Sequence, residues 1–425
     1  MRVLVISLNR DTSIMPTLPL GAASLCEATE RAGHAVRLVD LAAAEDPGEA
    51  IEQAIRQFTP EVIGLSLRNI DDQNMHGSKT FLESARLWVD HCRNLSSAPL
   101  VLGGAGFSIF PEAALEYLGA EMGIQGEGEA AFVLLLDHLQ AGKGRFEVPG
   151  LHLKGAGPKT RARFETNLDV FPLPSPSLFT IVDPTDQQLW IPVQTRRGCP
   201  RDCSYCSTSS IEGRRIRRRS PRKVVQHLES WSRAGYSRFY FVDNLFNVPA
   251  SHTRELCRLI REAGLSIQWR CILHPKGLDE SLVRELALAG CVEASLGFES
   301  GAGPVLERMN KRFTPEEARQ GSTLLSENGI RQMGFLLLGG PGESRATAEE
   351  SLAFADSLPL DTLRITTGLR IYPRTHLAEI AVSEGRISGS DDLLRPRFYC
   401  APDLKEWLRD RVVRHCEGRP HCLYE

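Results

Sequence analysis

The sequence predicts two α/β domains in succession. A doubly wound, Rossmann-like parallel sheet spans residues 1–145, a linker covers 146–190, a partial, TIM-like (β/α)6 barrel fills 191–380, and a short helical C-terminal cap closes 381–425. Three observations carry that reading. Up to residue 140, apolar runs of Val, Ile and Leu alternate with amphipathic stretches, the pattern of a parallel sheet covered by helices on both faces. Residues 158–190 are rich in proline and basic residues and show no helical period, which suits a semi-extended connector. The alternation then resumes, with six further strand candidates.

In the first domain the strands are "RVLVISL" from Arg2, "HAVRLVDL" from His34, "EVIGLSL" from Glu61, "APLVLGG" from Ala98 and "MGIQG" from Met122. Helices fall in "LGAASLCEATERAG" from Leu20, in "GEAIEQAIRQF" from Gly48, near 78–93 and from Pro111. Ligands of such sheets sit at the carboxyl ends of the strands. The loops there are Asn9-Arg10, "RNIDDQN" from Arg68, "GGAGFS" from Gly103 and "GEGE" from Gly126. In the second domain the strands are "IPVQTRRG", "SRFYFVDN", "SIQWRCI", "VEASLGFES", "RQMGFLLLGG" and "TLRITTGLRIYP". Chemistry in a βα barrel belongs to the C-terminal ends of its strands.

With 42% hydrophobic and 24% charged residues over 425 positions, the chain has a globular composition whose cores need no disulfides. A formal charge of −3 gives no overall attraction to nucleic acid or anionic lipid. The basic run "GRRIRRRSPRK" at 213–223 lacks interleaved aromatics for base stacking, so no nucleic-acid partner is expected. "MRVLVISLNRD" reads as a strand rather than a secretory signal, and no apolar run reaches the roughly 18–20 residues of a membrane span. Eleven cysteines without such a signal point to a reducing, cytoplasmic setting, where clustered thiols bind metal.

Cys199, Cys203 and Cys206 are clustered in "RRGCPRDCSYC". Gly198 and Pro200 interrupt any helix, so the thiols project from a loop just after the first barrel strand. Three thiolates can hold three irons of a 4Fe–4S cube, whereas full protein ligation takes four cysteines. One iron is then open to a ligand, as in catalytic metal sites. A zinc site completed by a remote Cys or His is the alternative at this point. Cys257, Cys271 and Cys291 fall on helix and strand patterns as core residues, and Cys400, Cys416 and Cys422 lie in the tail with spacing unsuited to a second cluster.

"CPRDCSYC" resembles the cluster motif of the radical S-adenosylmethionine (SAM) superfamily, with Tyr205 just before the last cysteine. The resemblance implies a 4Fe–4S cluster on Cys199, Cys203 and Cys206 whose open iron is chelated by SAM. It implies SAM contacts from Tyr205 and from four further positions. Asp243 in "FYFVDNLFN", where the usual Gly-Gly-Glu is absent, would take the amino group, and Glu299 in "LGFESG" the ribose. The backbone at Gly339 in "GFLLLGGPGES" would border the adenine, and Tyr372 in "RIYPRT" would offer a stacking face. Arg219 or Arg222 would meet a carboxylate of SAM or substrate. "HPKGLDESLVRELALAGC" and "MNKRFTPEEA" also look like segments of the family.

A doubly wound domain placed directly before such a barrel, with "LPLG", "GLSLRNID" and "VLGGAGFS", resembles the cobalamin-dependent radical SAM family, and its class B methyltransferases in particular. The resemblance runs from residue 1 to about 380. It implies cobalamin contacts from Asn9, Arg68, Asn69, Asp71, Gly103, Gly104, Gly106, Phe107, Gly126 and Glu127, the glycines allowing close approach of the nucleotide tail. No Asp-x-His-x-x-Gly occurs, and His76 in "DDQNMHG" lacks that spacing. A cobalt without a protein imidazole, with Arg68 or Asn69 near its lower face, is therefore expected. The implied activity moves a methyl group from SAM through methylcobalamin to an unactivated carbon of a small-molecule substrate. Ring closure, rearrangement or oxidation without methyl transfer is the alternative. An external one-electron reductant, flavodoxin- or ferredoxin-like, would serve either. No residue is assigned to catalysis itself.

Overall fold

Arg2–Ser7 (β1) is a Val/Leu/Ile run in which every residue after the first is buried, and it lies between two neighbouring strands as such a run must. The structure is a computed structural model that describes residues 1–11, 18–142, 147–158, 160–179, 183–186 and 188–424. The chain divides into two units, the first comprising residues 1–72, 80–190 and 208–218, the second the remainder.

In the first unit β1 is joined by Ala35–Asp40 (β2), Val62–Ser66 (β3), Leu100–Gly103 (β4), Met122–Ile124 (β5), Leu151–Leu153 (β6) and Gly157–Pro158 (β7). The order is β2-β1-β3-β4-β5-β6-β7, with the first five parallel and the last two antiparallel. The strand order reverses between β1 and β3, so the ligand crevice of this doubly wound sheet opens at the carboxyl ends of those two strands. The helices are Leu20–Arg31 (α1), Pro47–Phe58 (α2), Leu82–Leu95 (α3), Ala105–Ile109 (α4), Pro111–Leu118 (α5) and Gly128–Gln140 (α6). Helix α2 starts where the Asp46 carboxylate accepts the Glu49 amide at 3.0 Å, with Pro47 next in line. Ala22 and Cys26 of α1 and Phe132, Leu135 and Leu136 of α6 cover Val3, Val5, Val62 and Val101. Each such large side chain contributes about 2 kcal/mol by leaving water.

Two expectations for this region are corrected. The 146–190 linker is not simply extended, because β6 and β7 add antiparallel strands to the sheet, steered by a turn in which the Gln125 amide donates to Gly150 O at 2.9 Å. Strands of two or three residues are too short to show a period. Residues 146, 159, 180–182 and 187 of that segment lie outside the described residues. The "GGAGFS" stretch is not a loop throughout, since α4 begins at Ala105.

The second unit holds seven parallel strands in sequence order: Ile191–Val193 (β8), Arg238–Phe241 (β9), Gln268–Leu273 (β10), Cys291–Glu299 (β11), Arg331–Leu338 (β12), Thr362–Thr367 (β13) and Cys422–Tyr424 (β14). Its main helices are Pro221–Arg233 (α7), Ala250–Glu262 (α8), Glu280–Leu288 (α9), Pro315–Glu327 (α10), Arg345–Asp356 (α11) and Lys405–Cys416 (α12). Burial alternates along these strands. One face is fully covered, and the other, with Tyr240, Arg270, Ser295, Met333, Phe335 and Thr366, stays partly exposed. A closed βα barrel fills its interior with layers of side chains. This open one keeps its concave face unfilled.

The tail corrects a further expectation. It carries the helix α12, but it also supplies β14, which pairs with β13 through Leu363↔Cys422, so the cap is not helical alone. Leu404, Leu408 and Val412 anchor it on Leu363 and Ile365. Among the described residues no helix is long and apolar enough to cross a membrane.

Candidate functional site

The cysteine loop leaves β8 through Thr195 and Arg196, and both are fixed by Asp243. The Asp243 carboxylate, 0% exposed, accepts the Thr195 amide at 2.7 Å, the Thr195 hydroxyl at 2.6 Å and the Arg196 amide at 3.0 Å, and it faces Arg196 Nε at 3.5 Å. Burial raises its pKa, opposed by Arg196 and these hydrogen bonds. Asp243 thus anchors the start of the cysteine loop. Its ion partner Arg196, 2% exposed, donates to Val248 O at 2.7 Å and to His252 Nδ1 at 3.0 Å and lies over the Phe246 ring at 5.1 Å. His252 Nε2 donates to Arg219 O at 2.8 Å, which leaves Nδ1 as the acceptor. The backbone of Arg219 is therefore tied to this network, and Arg222 is exposed on α7 beside Glu255.

Gly198 takes φ +88°, a left-handed turn that starts the cysteine loop. Cys199 is buried and Cys203 and Cys206 are partly exposed, with the Cys206 amide donating to Cys203 O at 3.2 Å. Burial pushes the Cys199 thiol up to about 11, and the charges of the other two cysteines are felt there. Among the described residues no three His, Cys, Asp or Glu converge tightly enough to grip one ion. Thiols that each bind a different iron of a cube need not converge on one point, so the three neighbouring thiols on one loop fit a cube with a bare corner.

Tyr205 and Glu299 meet at a residue the sequence reading passed over. Lys311 Nζ lies 3.0 Å from Glu299 Oε1 and 3.2 Å from the Tyr205 hydroxyl. Burial disfavours its charge, but Glu299, Tyr205 and Cys203 outweigh that and hold its pKa well above the ordinary lysine range. Glu299 itself has φ +60° at a bulge in β11, an unusual conformation for a residue with a Cβ. A lysine in "MNKRFTPEEA" reads from sequence as an ordinary surface charge, and only the fold encloses it.

Gly339 ends β12 with its carbonyl accepting the Ala401 amide at 2.8 Å and its amide donating to the Glu343 carboxylate. A Cβ there would meet Cys400 Sγ and the Gly368 backbone, so only a glycine fits this strand end. Glu343, also unforeseen, is 7% exposed, holds the Gly340 amide at 3.1 Å as well, and leaves its second oxygen buried without a partner. Burial raises its pKa to about 7. Tyr372 is half-buried, with the Arg370 guanidinium over its ring at 5.2 Å.

In the first unit, Asn9 Oδ1 accepts the amides of Arg68 at 2.7 Å and Asn69 at 3.2 Å, pinning the loop beyond β3 at the crevice. The Arg68 side chain is exposed there, and a Cβ at Gly103 would meet only Ile124 O, at 3.9 Å. These residues fit a ligand lying over the β1 and β3 ends. Asp71 is buried with its backbone bridged to Thr80. Gly104 and Gly106 press against the backbone of Leu67 and Arg68, where a Cβ would come within 2.6 Å and 3.1 Å of carbonyl oxygens. They seat that loop and leave no groove beside themselves. Phe107, 0% exposed, packs against Gly123 and edge-on to His152. Gly126 faces Ala162 and Phe164. The Glu127 carboxylate pairs with Arg217 and accepts the Glu165 amide at 2.8 Å. His76 belongs to the second unit, where its ring lies edge-on to Tyr424.

Residues 7–136 match the B12 binding domain and residues 193–355 the radical SAM superfamily. An uncharacterised methyltransferase of Pyrococcus horikoshii is 27% identical over 93% of this chain and 87% of its own length. The tryptophan 2-C-methyltransferase of Streptomyces laurentii is 24% identical over 86% of this chain and 72% of its own. The solved radical SAM methyltransferase TsrM of Kitasatospora setae, with tryptophan and a SAM analogue bound, superposes with a TM-score of 0.86 at 23% identity, covering 98% of this chain and 88% of that one. The fold and its two matched domains define a cobalamin-binding radical SAM enzyme. The chain belongs to the cobalamin-dependent radical SAM family, whose cofactors are cobalamin, a 4Fe–4S cluster and SAM.

Proposed function

We propose that the chain is a methyltransferase that carries a methyl group from SAM, by way of cobalamin, to an unactivated carbon of a small-molecule substrate. The observation that carries this reading is one chain with a B12 binding domain, a radical SAM domain and the three-cysteine loop, related nearly end to end to proteins named methyltransferases. When bound, cobalamin supplies a methyl carrier, and the cluster with SAM supplies one-electron hydrogen abstraction.

The chain's own residues prepare these sites. Asp243 and Arg196 fix the start of the loop that presents Cys199, Cys203 and Cys206. Asn9 holds the Arg68–Asn69 loop at the crevice of the first sheet, where Arg68 or Asn69 would meet the lower face of the cobalt. Glu343 draws the Gly339 and Gly340 amides together at the end of β12. Gly339, Tyr372 and Glu299 stand at the carboxyl ends of their strands, where SAM would lie. An external one-electron reductant in a reducing cytoplasm would supply the electron.

The test supplies anaerobic, reconstituted protein with SAM, cobalamin and a reductant, and follows products by mass spectrometry. S-adenosylhomocysteine formed only when cobalamin is present supports the reading. 5′-Deoxyadenosine without any S-adenosylhomocysteine would favour cyclisation or oxidation instead.

A further inference from the structure

The turn Met309–Arg312 grips the cysteine loop at four points. The Ser204 amide donates to Met309 O at 3.0 Å, Asn310 Nδ2 donates to Asp202 O at 3.0 Å, Arg312 faces the Asp202 carboxylate at 3.6 Å, and Lys311 reaches the Tyr205 hydroxyl at 3.2 Å. Asn310 and Arg312 both take φ near +60°, at 59° and 58°, and flank Lys311. Left-handed backbone at two residues with a Cβ persists only where the surroundings over-determine it. Its effect is to turn the Lys311 side chain inward. Lys311 is 9% exposed, with the Tyr205 ring at 5.6 Å and the Phe313 ring at 5.8 Å from its nitrogen.

We propose that Lys311 is a positioning residue for the iron–sulfur cluster, a buried fixed cation that seats the loop through Tyr205 and raises the cluster's reduction potential, with Glu299 as the counter-charge that limits the rise. The proposal rests on the reading that Cys199, Cys203 and Cys206 hold a 4Fe–4S cluster. Reduction adds one electron from an external low-potential reductant and breaks no bond. It makes the cluster more negative, so a cation enclosed in low dielectric favours the reduced form and an anion disfavours it.

The test is an EPR-monitored redox titration of the full chain, reconstituted with iron and sulfide and without SAM or cobalamin, in wild type, Lys311→Met and Glu299→Gln. At the wild-type midpoint, Lys311→Met should lower the reduced-to-oxidised ratio about tenfold, which is about 59 mV for one electron. Glu299→Gln should raise it. Residues that merely brace the fold would not move the midpoint in opposite directions, so an unmoved midpoint in Lys311→Met, or shifts of the same sign, overturns the proposal. Should Lys311→Met load no cluster, Glu299→Gln decides alone: a rise supports the proposal and no rise overturns it. Wild type that loads no four-iron cluster removes the underlying reading and the proposal with it, whereas normal loading with an unmoved midpoint removes the proposal only.

Discussion

Glu343→Gln should remove a pH-dependent weakness from the second unit. The carboxyl is buried, one of its oxygens holds the Gly339 and Gly340 amides, and the other has no partner. Burial lifts its pKa from 4.5 to about 7 despite those two hydrogen bonds. Below pH 4.5 the group is protonated folded and unfolded, and it costs nothing. As pH rises toward 7 the unfolded chain releases the proton while the folded chain keeps it, so stability falls. Above the folded pKa the loss is complete. A rise of that size corresponds to about 3 kcal/mol. Glutamine keeps an oxygen for the glycine amides and never ionises. Thermal unfolding of the full chain, followed by circular dichroism at pH 5, 6, 7 and 8, reads the difference. The variant should gain on wild type across that range, by roughly 2–4 °C for each kcal/mol. A gap between the two proteins that does not change with pH, or that shifts in favour of wild type as pH rises, refutes the reasoning.

Asp243→Ala leaves the buried Arg196 guanidinium without its carboxylate, so a loss of about 3–5 kcal/mol is expected in denaturant titration, together with poorer iron loading. Cys203→Ala should lose the iron–sulfur absorbance and the iron found by elemental analysis, while cobalamin binding by the first unit persists. Phe107→Ala opens a cavity against Gly123 and His152 and should cost about 3–5 kcal/mol in unfolding of the first unit. If Phe107 touched cobalamin instead, the folded variant would bind it more weakly with little loss of stability.

Much of this protein is legible along the chain. The five long apolar runs of the first sheet and the six of the second announce themselves because strands buried beneath helices must be rich in Val, Ile and Leu. The cysteine loop is legible because cluster ligands lie close in sequence. Strands β6, β7 and β14 are not, since they are short and join the sheet at its edges, where pairing is set by a neighbour's unpaired edge. The strand-end and loop residues were the harder part. Asp243, Glu127 and Phe107 stand at strand ends or loops where ligands are expected, yet their partners Arg196, Arg217 and Gly123 come from elsewhere in each unit and close them off. Lys311 and Glu343 show the reverse, unremarkable in sequence and enclosed in the fold. The sequence by itself determined the two sheets, their order and the three thiols, because periodicity and ligand spacing are local. Only the tertiary structure decided which charged groups remain available, because burial and pairing depend on residues distant in the chain.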